Sequence, residues 1–223
     1  MAIVDTWGQN FAGGILLLPI RGSSGNRLAL KRALIIASPN GLTTMITQII
    51  GTNRPGSKSA LLARYLNQCY ADLGETIEVI DLAELPADIF NPAAYANKPE
   101  AFKPMVNKVL ASDGLLIVTP EYNGGLPGVL KYFIDMLPFP ESFEHRPVAF
   151  IGLAAGRWGG LLPVQQLQQI FSYRNAYIYP KKVYLPGVHN VLNEQGEVID
   201  DAIQNQLKKQ VEGFIDFVKQ FSL

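Results

Sequence analysis

Apolar and polar positions alternate along this chain in two distinct rhythms, and the switches between them mark the elements. Short apolar runs at Met45–Ile50, Ile77–Leu82, Gly114–Val118, Val148–Leu153 and Tyr177–Leu185 read as strands. Between them lie stretches with helical spacing, Lys58–Leu73, Glu100–Ala111, Val129–Leu137, Leu161–Tyr173 and a closing helix Asp200–Phe221. Strands this apolar are buried on both faces. Alternation with helices of about ten or more residues predicts right-handed crossovers and a parallel sheet. The expected fold class is α/β, a doubly wound five-stranded parallel sheet in a three-layer α/β/α sandwich. Pro180 has no amide proton for a ladder, so it suits an edge strand or a bulge.

The first forty-odd residues do not share this rhythm. Ile15–Ile20 is apolar but too short to span a bilayer, and the nearby bases Arg21 and Arg27 follow it, where a secretory signal places them in front. Gly22–Ser38 shows no sustained period, and Met45 stands at the start of the first convincing strand. Residues 1–43 therefore read as an irregular N-terminal extension, or as an upstream reading of the start codon, and 44–223 as the folded domain.

Composition narrows the partners. With 223 residues, 48% hydrophobic, the chain is long enough for one substantial core. Nineteen basic and nineteen acidic residues balance, and no block of like charges occurs, which argues against nucleic-acid or membrane partners and for small molecules and other protein chains. The single cysteine, Cys69, excludes an internal disulfide framework and a four-cysteine zinc site and fits a cytoplasmic location. Beside Tyr70 on a helical pattern, it reads as a small buried apolar residue in preference to a catalytic thiol.

Chemistry belongs at the strand ends, and three of them carry unusual loops. Gly51–Ser59, GTNRPGSKS, brings the hydroxyls of Thr52, Ser57 and Ser59 and the forked cation of Arg54 to the start of a helix. That combination describes a phosphate site. The same residues also describe an ordinary capped helix, with Ser57 as N-cap and Arg54 in solvent. The sequence matches neither G-x-x-x-x-G-K-[ST] nor G-x-G-x-x-G. The second loop, Thr119–Gly128, is stiffened by Pro120 and Pro127, carries Gly124 and Gly125 for close backbone approach, and offers Glu121, Tyr122 and Asn123. Glu121 either accepts a ligand hydrogen bond or caps a helix or subunit contact. The third, Ala154–Gly160, has three glycines that suggest amides exposed toward a ligand, and Trp158, which either stacks on a ring or packs. His145 and His189, the two histidines, lie in predicted loops without metal-ligand spacing and read as solvated or structural. No catalytic nucleophile and no metal site is expected.

Three motifs, G-T-x-R-x-x-S-x-S at Gly51–Ser59, P-E-Y-N-x-x-x-P-G-x-L-K-x-x-I-D at Pro120–Asp135 and the glycine loop Gly156–Gly160, resemble those of the flavodoxin-like NAD(P)H-dependent flavin reductases, which include FMN, quinone and chromate reductases and some azoreductases. The resemblance spans about residues 45 to 220. It implies FMN as cofactor, NADPH or NADH as co-substrate, and a small-molecule electron acceptor such as a quinone or free flavin. It further implies that Thr52, Arg54, Ser57 and Ser59 hold the FMN phosphate, that Pro120, Glu121, Tyr122 and Asn123 line the isoalloxazine, and that Ala155 and Gly156 approach the ring from its other side. A homodimer or homotetramer follows by the same precedent, with Val129–Leu137 and Pro138–Phe143 as the pairing surface. Many relatives carry Trp where this chain has Met136, a position that usually supports the helix or a subunit contact. A flavin-bearing electron carrier that never meets a nicotinamide is the alternative, although such carriers are usually acidic.

Overall fold

Every residue of Ile46–Ile50 (β1) is buried, and the same holds for Pro147–Leu153 (β4), as expected of strands covered on both sides. The computed structural model describes residues 44–221. The remaining strands and α-helices are α1 (Lys58–Asp72), β2 (Ile77–Asp81), α2 (Lys103–Ala111), β3 (Gly114–Pro120), α3 (Gly128–Met136), α4 (Leu161–Tyr173), β5 (Tyr177–Ile178), β6 (Val183–Leu185), α5 (Val188–Val191) and α6 (Asp201–Phe221), with short 3₁₀ turns between β2 and α2. The expected extension at 1–43 lies outside the described residues.

All pairings are parallel, in the order β2-β1-β3-β4-β5, with β6 also on β4. Side chains alternate across the sheet and feed two cores. Leu116, Val118, Ala149 and Ile151 point toward Leu62, Leu66 and Tyr70 of α1 and Leu207, Val211 and Phe214 of α6. Their neighbours Leu115, Ile117, Val148 and Phe150 point the other way, toward Val109 of α2, Phe133 of α3 and Phe171 of α4. The three-layer sandwich is as predicted.

Two details differ from the sequence expectation. Glu100–Ala111 begins as a 3₁₀ turn over Glu100–Phe102 before α2 starts, with Pro104 accommodated in the first helical turn. The final strand is split in two: β5 pairs with Pro147–Val148 and β6 with Ile151–Leu153, and Pro180 lies in the gap. The gap exposes strand carbonyls that a proline cannot satisfy. Gln210 of α6, itself buried, donates from Nε2 to Phe150 O at 3.0 Å and to Lys181 O at 3.1 Å and so replaces the missing rung.

Met136 is fully buried in this chain's own second core, as are Leu130 and Phe133. The position expected to serve a helix or a subunit contact is therefore a packing residue of α3, and Val129–Leu137 spends most of its apolar surface inside the fold. Cys69 is buried too, and burial pushes its thiol pKa up, the opposite of what an activated thiolate requires.

A candidate flavin cleft at the strand-order reversal

β1 and β3 are neighbours in the sheet, yet the helices that follow them leave toward opposite faces: α1 joins the first core and α3 the second. A crevice opens where such connections diverge. At this point a cleft of about 370 Å³ is lined by Arg54, Pro55, Gly56, Ser57, Lys58 and Ser59 from the first loop, Pro120, Glu121 and Tyr122 from the second, Leu153, Ala154 and Ala155 from the third, and Val188 and His189 from α5. The size suits a drug-sized or cofactor-sized ligand.

The first loop is built from its own polar side chains. Ser57 caps α1, its hydroxyl oxygen accepting from Ala60 N at 3.1 Å. Thr52 is buried; its Oγ1 accepts from Arg54 N at 3.2 Å and shares a 2.8 Å hydrogen bond with the Tyr122 hydroxyl, tying the first loop to the second. Arg54 is exposed at the rim and has no ion-pair partner among the described residues. Ser59 is only 1% exposed, and its Oγ has no hydrogen-bond partner. A buried hydroxyl without a partner costs about 1–3 kcal/mol, and this one belongs to a residue that lines the cleft, where a ligand can supply the missing bond.

In the second loop Pro120 ends β3, and Glu121 N donates to Leu153 O at 3.1 Å, which sets it against the end of β4. Glu121 Oε2 is buried and lacks a partner. Tyr122 and Gly125 close on each other through two 3.0 Å backbone hydrogen bonds, with Asn123 and Gly124 between them at φ 51° and 72°. Two left-handed central residues are what Asn-Gly supplies to a tight turn. Asn123 thus occupies an exposed turn tip outside the cleft lining, and Gly125 packs near Gln166.

The third loop divides the glycines predicted to face a ligand. Gly159 and Gly160 are buried and have positive φ; a Cβ on Gly160 would stand 2.5 Å from Leu153 N, and one on Gly159 2.7 Å from Pro186 N. Their role is close approach of backbone to backbone. Gly156 alone of the three opens on space: a Cβ there would find nothing within 4 Å. The Ala155 and Gly156 amides make no hydrogen bond among the described residues. Trp158 is 54% exposed, with the Arg157 guanidinium 4.6 Å above its ring.

Of the ten residues singled out from the sequence, Arg54, Ser57, Ser59, Pro120, Glu121, Tyr122 and Ala155 line this one cleft. Thr52 sits behind it through Tyr122, Gly156 adjoins it, and Asn123 turns away. Lys58, Val188 and His189 were not anticipated. Only Lys58 had a local signal, its place between two predicted phosphate serines. His189 stands on a short helix instead of a loop.

The family model described as NADPH-dependent FMN reductase matches residues 44–190. The chain belongs to that family. As a member, this reductase is an NAD(P)H-dependent FMN oxidoreductase, and nothing favours the electron-carrier alternative. It is 32% identical over 161 residues to an NADPH azoreductase of Bacillus sp. (strain OY1-2), an alignment covering 72% of this chain and 87% of the relative. It is 28% identical to a quinone reductase of Escherichia coli (strain K12), covering 80% and 97%. FerB, a flavoenzyme NAD(P)H:(acceptor) oxidoreductase from Paracoccus denitrificans, shares the fold with a TM-score of 0.68, 24% identity and coverage of 81% and 100%.

The unpaired hydroxyl of Ser59, the unpaired carboxylate oxygen of Glu121 and the open amides of Ala155 and Gly156 fit a ligand with an anionic end and a polar, flat head. Among the described residues no cluster of His, Cys, Asp or Glu could hold a metal ion, and no helix is long and apolar enough to cross a membrane.

Proposed function

We propose that the cleft formed by the three loops holds FMN, that the protein passes a hydride from NADPH or NADH to it, and that the two electrons then go to a quinone, a free flavin or another small acceptor. The observation that carries this reading is the convergence of three separate strand ends on one cleft containing a buried serine hydroxyl with no protein partner. When bound, FMN supplies the hydride-accepting ring and the two-electron chemistry. The protein's own work is binding and positioning.

In this reading Arg54, Ser57 and Ser59, with the first-turn amides of α1, hold the phosphate, while Thr52 fixes the loop by bonding Tyr122. Pro120, Glu121 and Tyr122 line the ring, and Asn123 contributes through the turn that shapes this wall. The Ala155 and Gly156 amides serve the electron-rich edge of the ring, where donors offset negative charge. The folded flavin domain in this reading is 44–223, with 1–43 as an extension to it.

Ser59 offers a direct check. Ser59→Ala removes no hydrogen bond from the flavin-free protein, so its stability stays within about 0.5 kcal/mol or rises slightly. FMN affinity falls about tenfold, the loss of one hydrogen bond to a charged group. Calorimetric titration beside a thermal melt measures both. A variant that binds FMN as tightly as the parent removes Ser59 from the phosphate site.

The reaction itself is tested anaerobically, by mixing FMN-loaded protein with NADPH or NADH and following the visible flavin absorption. Fast bleaching by either nucleotide is expected. An absorption that persists in the presence of both refutes hydride transfer. Small acceptors are supported by the azoreductase and quinone reductase relatives.

We also propose a homodimer or homotetramer in the cytoplasm, where NADPH and NADH are at hand. Support comes from exposed Phe90, Tyr95 and Phe139, 48%, 59% and 55% accessible, aromatic surface that association would cover. Sedimentation velocity showing a monomer with full FMN occupancy would count against association.

A further inference from the structure

Past β6 the chain runs from Gly187 through α5 to Val198 as a strap between the third loop and the start of α1. Its near end is fixed to the third loop, Gly187 N donating to Gly156 O at 3.2 Å and Val188 N to Ala154 O at 2.9 Å. Its far end is fixed to the first loop by one side chain. Lys58 Nζ donates to Leu192 O at 2.9 Å and to Asn193 O at 3.1 Å. Beyond that point the strap closes on itself, with Asn193 N donating to Glu197 O at 3.0 Å and Asn193 Nδ2 to Glu197 Oε2 at 2.7 Å. Gly196 passes close over α1, where a Cβ would lie 3.4 Å from Leu61 O.

The strap's apolar residues Val188, Val191 and Leu192 are buried in the first core, whereas His189 is exposed and lines the cleft. A lysine between two serines of a phosphate loop would ordinarily read as one more cation for the anion. Here its ammonium is already directed at two carbonyls, and the Leu192 carbonyl belongs to a fully buried residue. Removing the donor would leave that carbonyl without a partner.

We propose that Lys58 is a positioning residue, locking the strap Gly187–Val198 as the third wall of the cleft and so holding His189 and the Ala154–Gly156 turn toward the bound ligand. The proposal rests on the FMN reading above. The Thr52–Tyr122 hydrogen bond joins the first loop to the second, and this ammonium joins it to the strap behind the third, so loosening it harms binding of the whole ligand and not of the phosphate alone.

The test is Lys58→Met in the full chain, with two measurements. Hydrogen exchange of the flavin-free protein reads the tether by itself: amides of Gly187–Leu192 exchange about tenfold faster than in the parent, and those of β3 do not change. Titrations with FMN and with riboflavin, which lacks the phosphate, read the positioning: both affinities fall by the same factor, about tenfold, and the visible circular dichroism of the bound flavin changes. A loss confined to FMN makes Lys58 a plain phosphate cation and overturns the proposal. Unchanged strap exchange, or flavin affinities equal to the parent's, also overturns it. If the parent protein takes up neither flavin, the FMN reading fails and takes the positioning role with it, while the exchange result still decides whether the tether exists.

Discussion

Arg54→Glu is expected to abolish useful FMN binding while leaving the fold intact. The Arg54 side chain is exposed at the cleft rim with no carboxylate partner among the described residues, so its loss disturbs nothing inside the protein. Exposed substitutions of this kind change stability by no more than about 0.5 kcal/mol. The ligand feels far more: a charge-assisted, two-pronged contact to a phosphate disappears and a like charge takes its place. We expect a loss of about 3–4 kcal/mol, roughly 10²–10³-fold in dissociation constant. Riboflavin binding should hardly move. Fluorescence titration with both flavins checks this, and a variant that stays yellow at the parent's stoichiometry refutes the phosphate assignment.

Gly160→Ala is expected to be the most damaging single methyl in the third loop. Gly160 sits at φ 85°, and a Cβ there would stand 2.5 Å from Leu153 N and 2.7 Å from Gly152 Cα. Those are backbone atoms of β4 and its end, which cannot swing aside as a side-chain tip can. Strain of about 1–3 kcal/mol from the left-handed conformation adds to the collision, and we expect a total of about 4 kcal/mol. For a chain of this size that lowers the melting temperature by about 10 °C. Gly156→Ala is the matched control, since a Cβ there meets nothing within 4 Å. Differential scanning calorimetry of the two variants decides it; equal melting temperatures would mean that the backbone approach at Gly160 carries no cost.

The same pair of glycines marks the border of what the sequence could tell. Strand positions and the parallel three-layer class were legible because burial on both faces leaves an unbroken apolar run, and each run was followed by a helix with its own period. The first wall of the cleft was legible because its polar residues lie close together in the chain, with Thr52, Arg54, Ser57 and Ser59 within eight consecutive positions. Ala-Ala-Gly-Arg-Trp-Gly-Gly, by contrast, presents three identical letters, and only the course of β4 and β6 distinguishes Gly156, which opens on space, from Gly159 and Gly160, which touch backbone. Asn123 carries a similar ambiguity: Asn-Gly signals a tight turn as strongly as Asn signals a ligand amide, and here the residue stands at the exposed tip of such a turn. The strap carrying His189 was illegible. It reaches the cleft through contacts distant in sequence, among them that of Lys58 with Leu192, which are 134 positions apart, and no local pattern encodes such a contact.

The rung supplied by Gln210 also ties the fate of the closing helix to that of the sheet. Where the last strand breaks at Pro180, one glutamine amide from α6 spans the carbonyls of Phe150 in β4 and of Lys181 just before β6. Lifting α6 away would strand the buried Phe150 acceptor, so peeling of the C-terminal helix and opening of the sheet beside it are a single event.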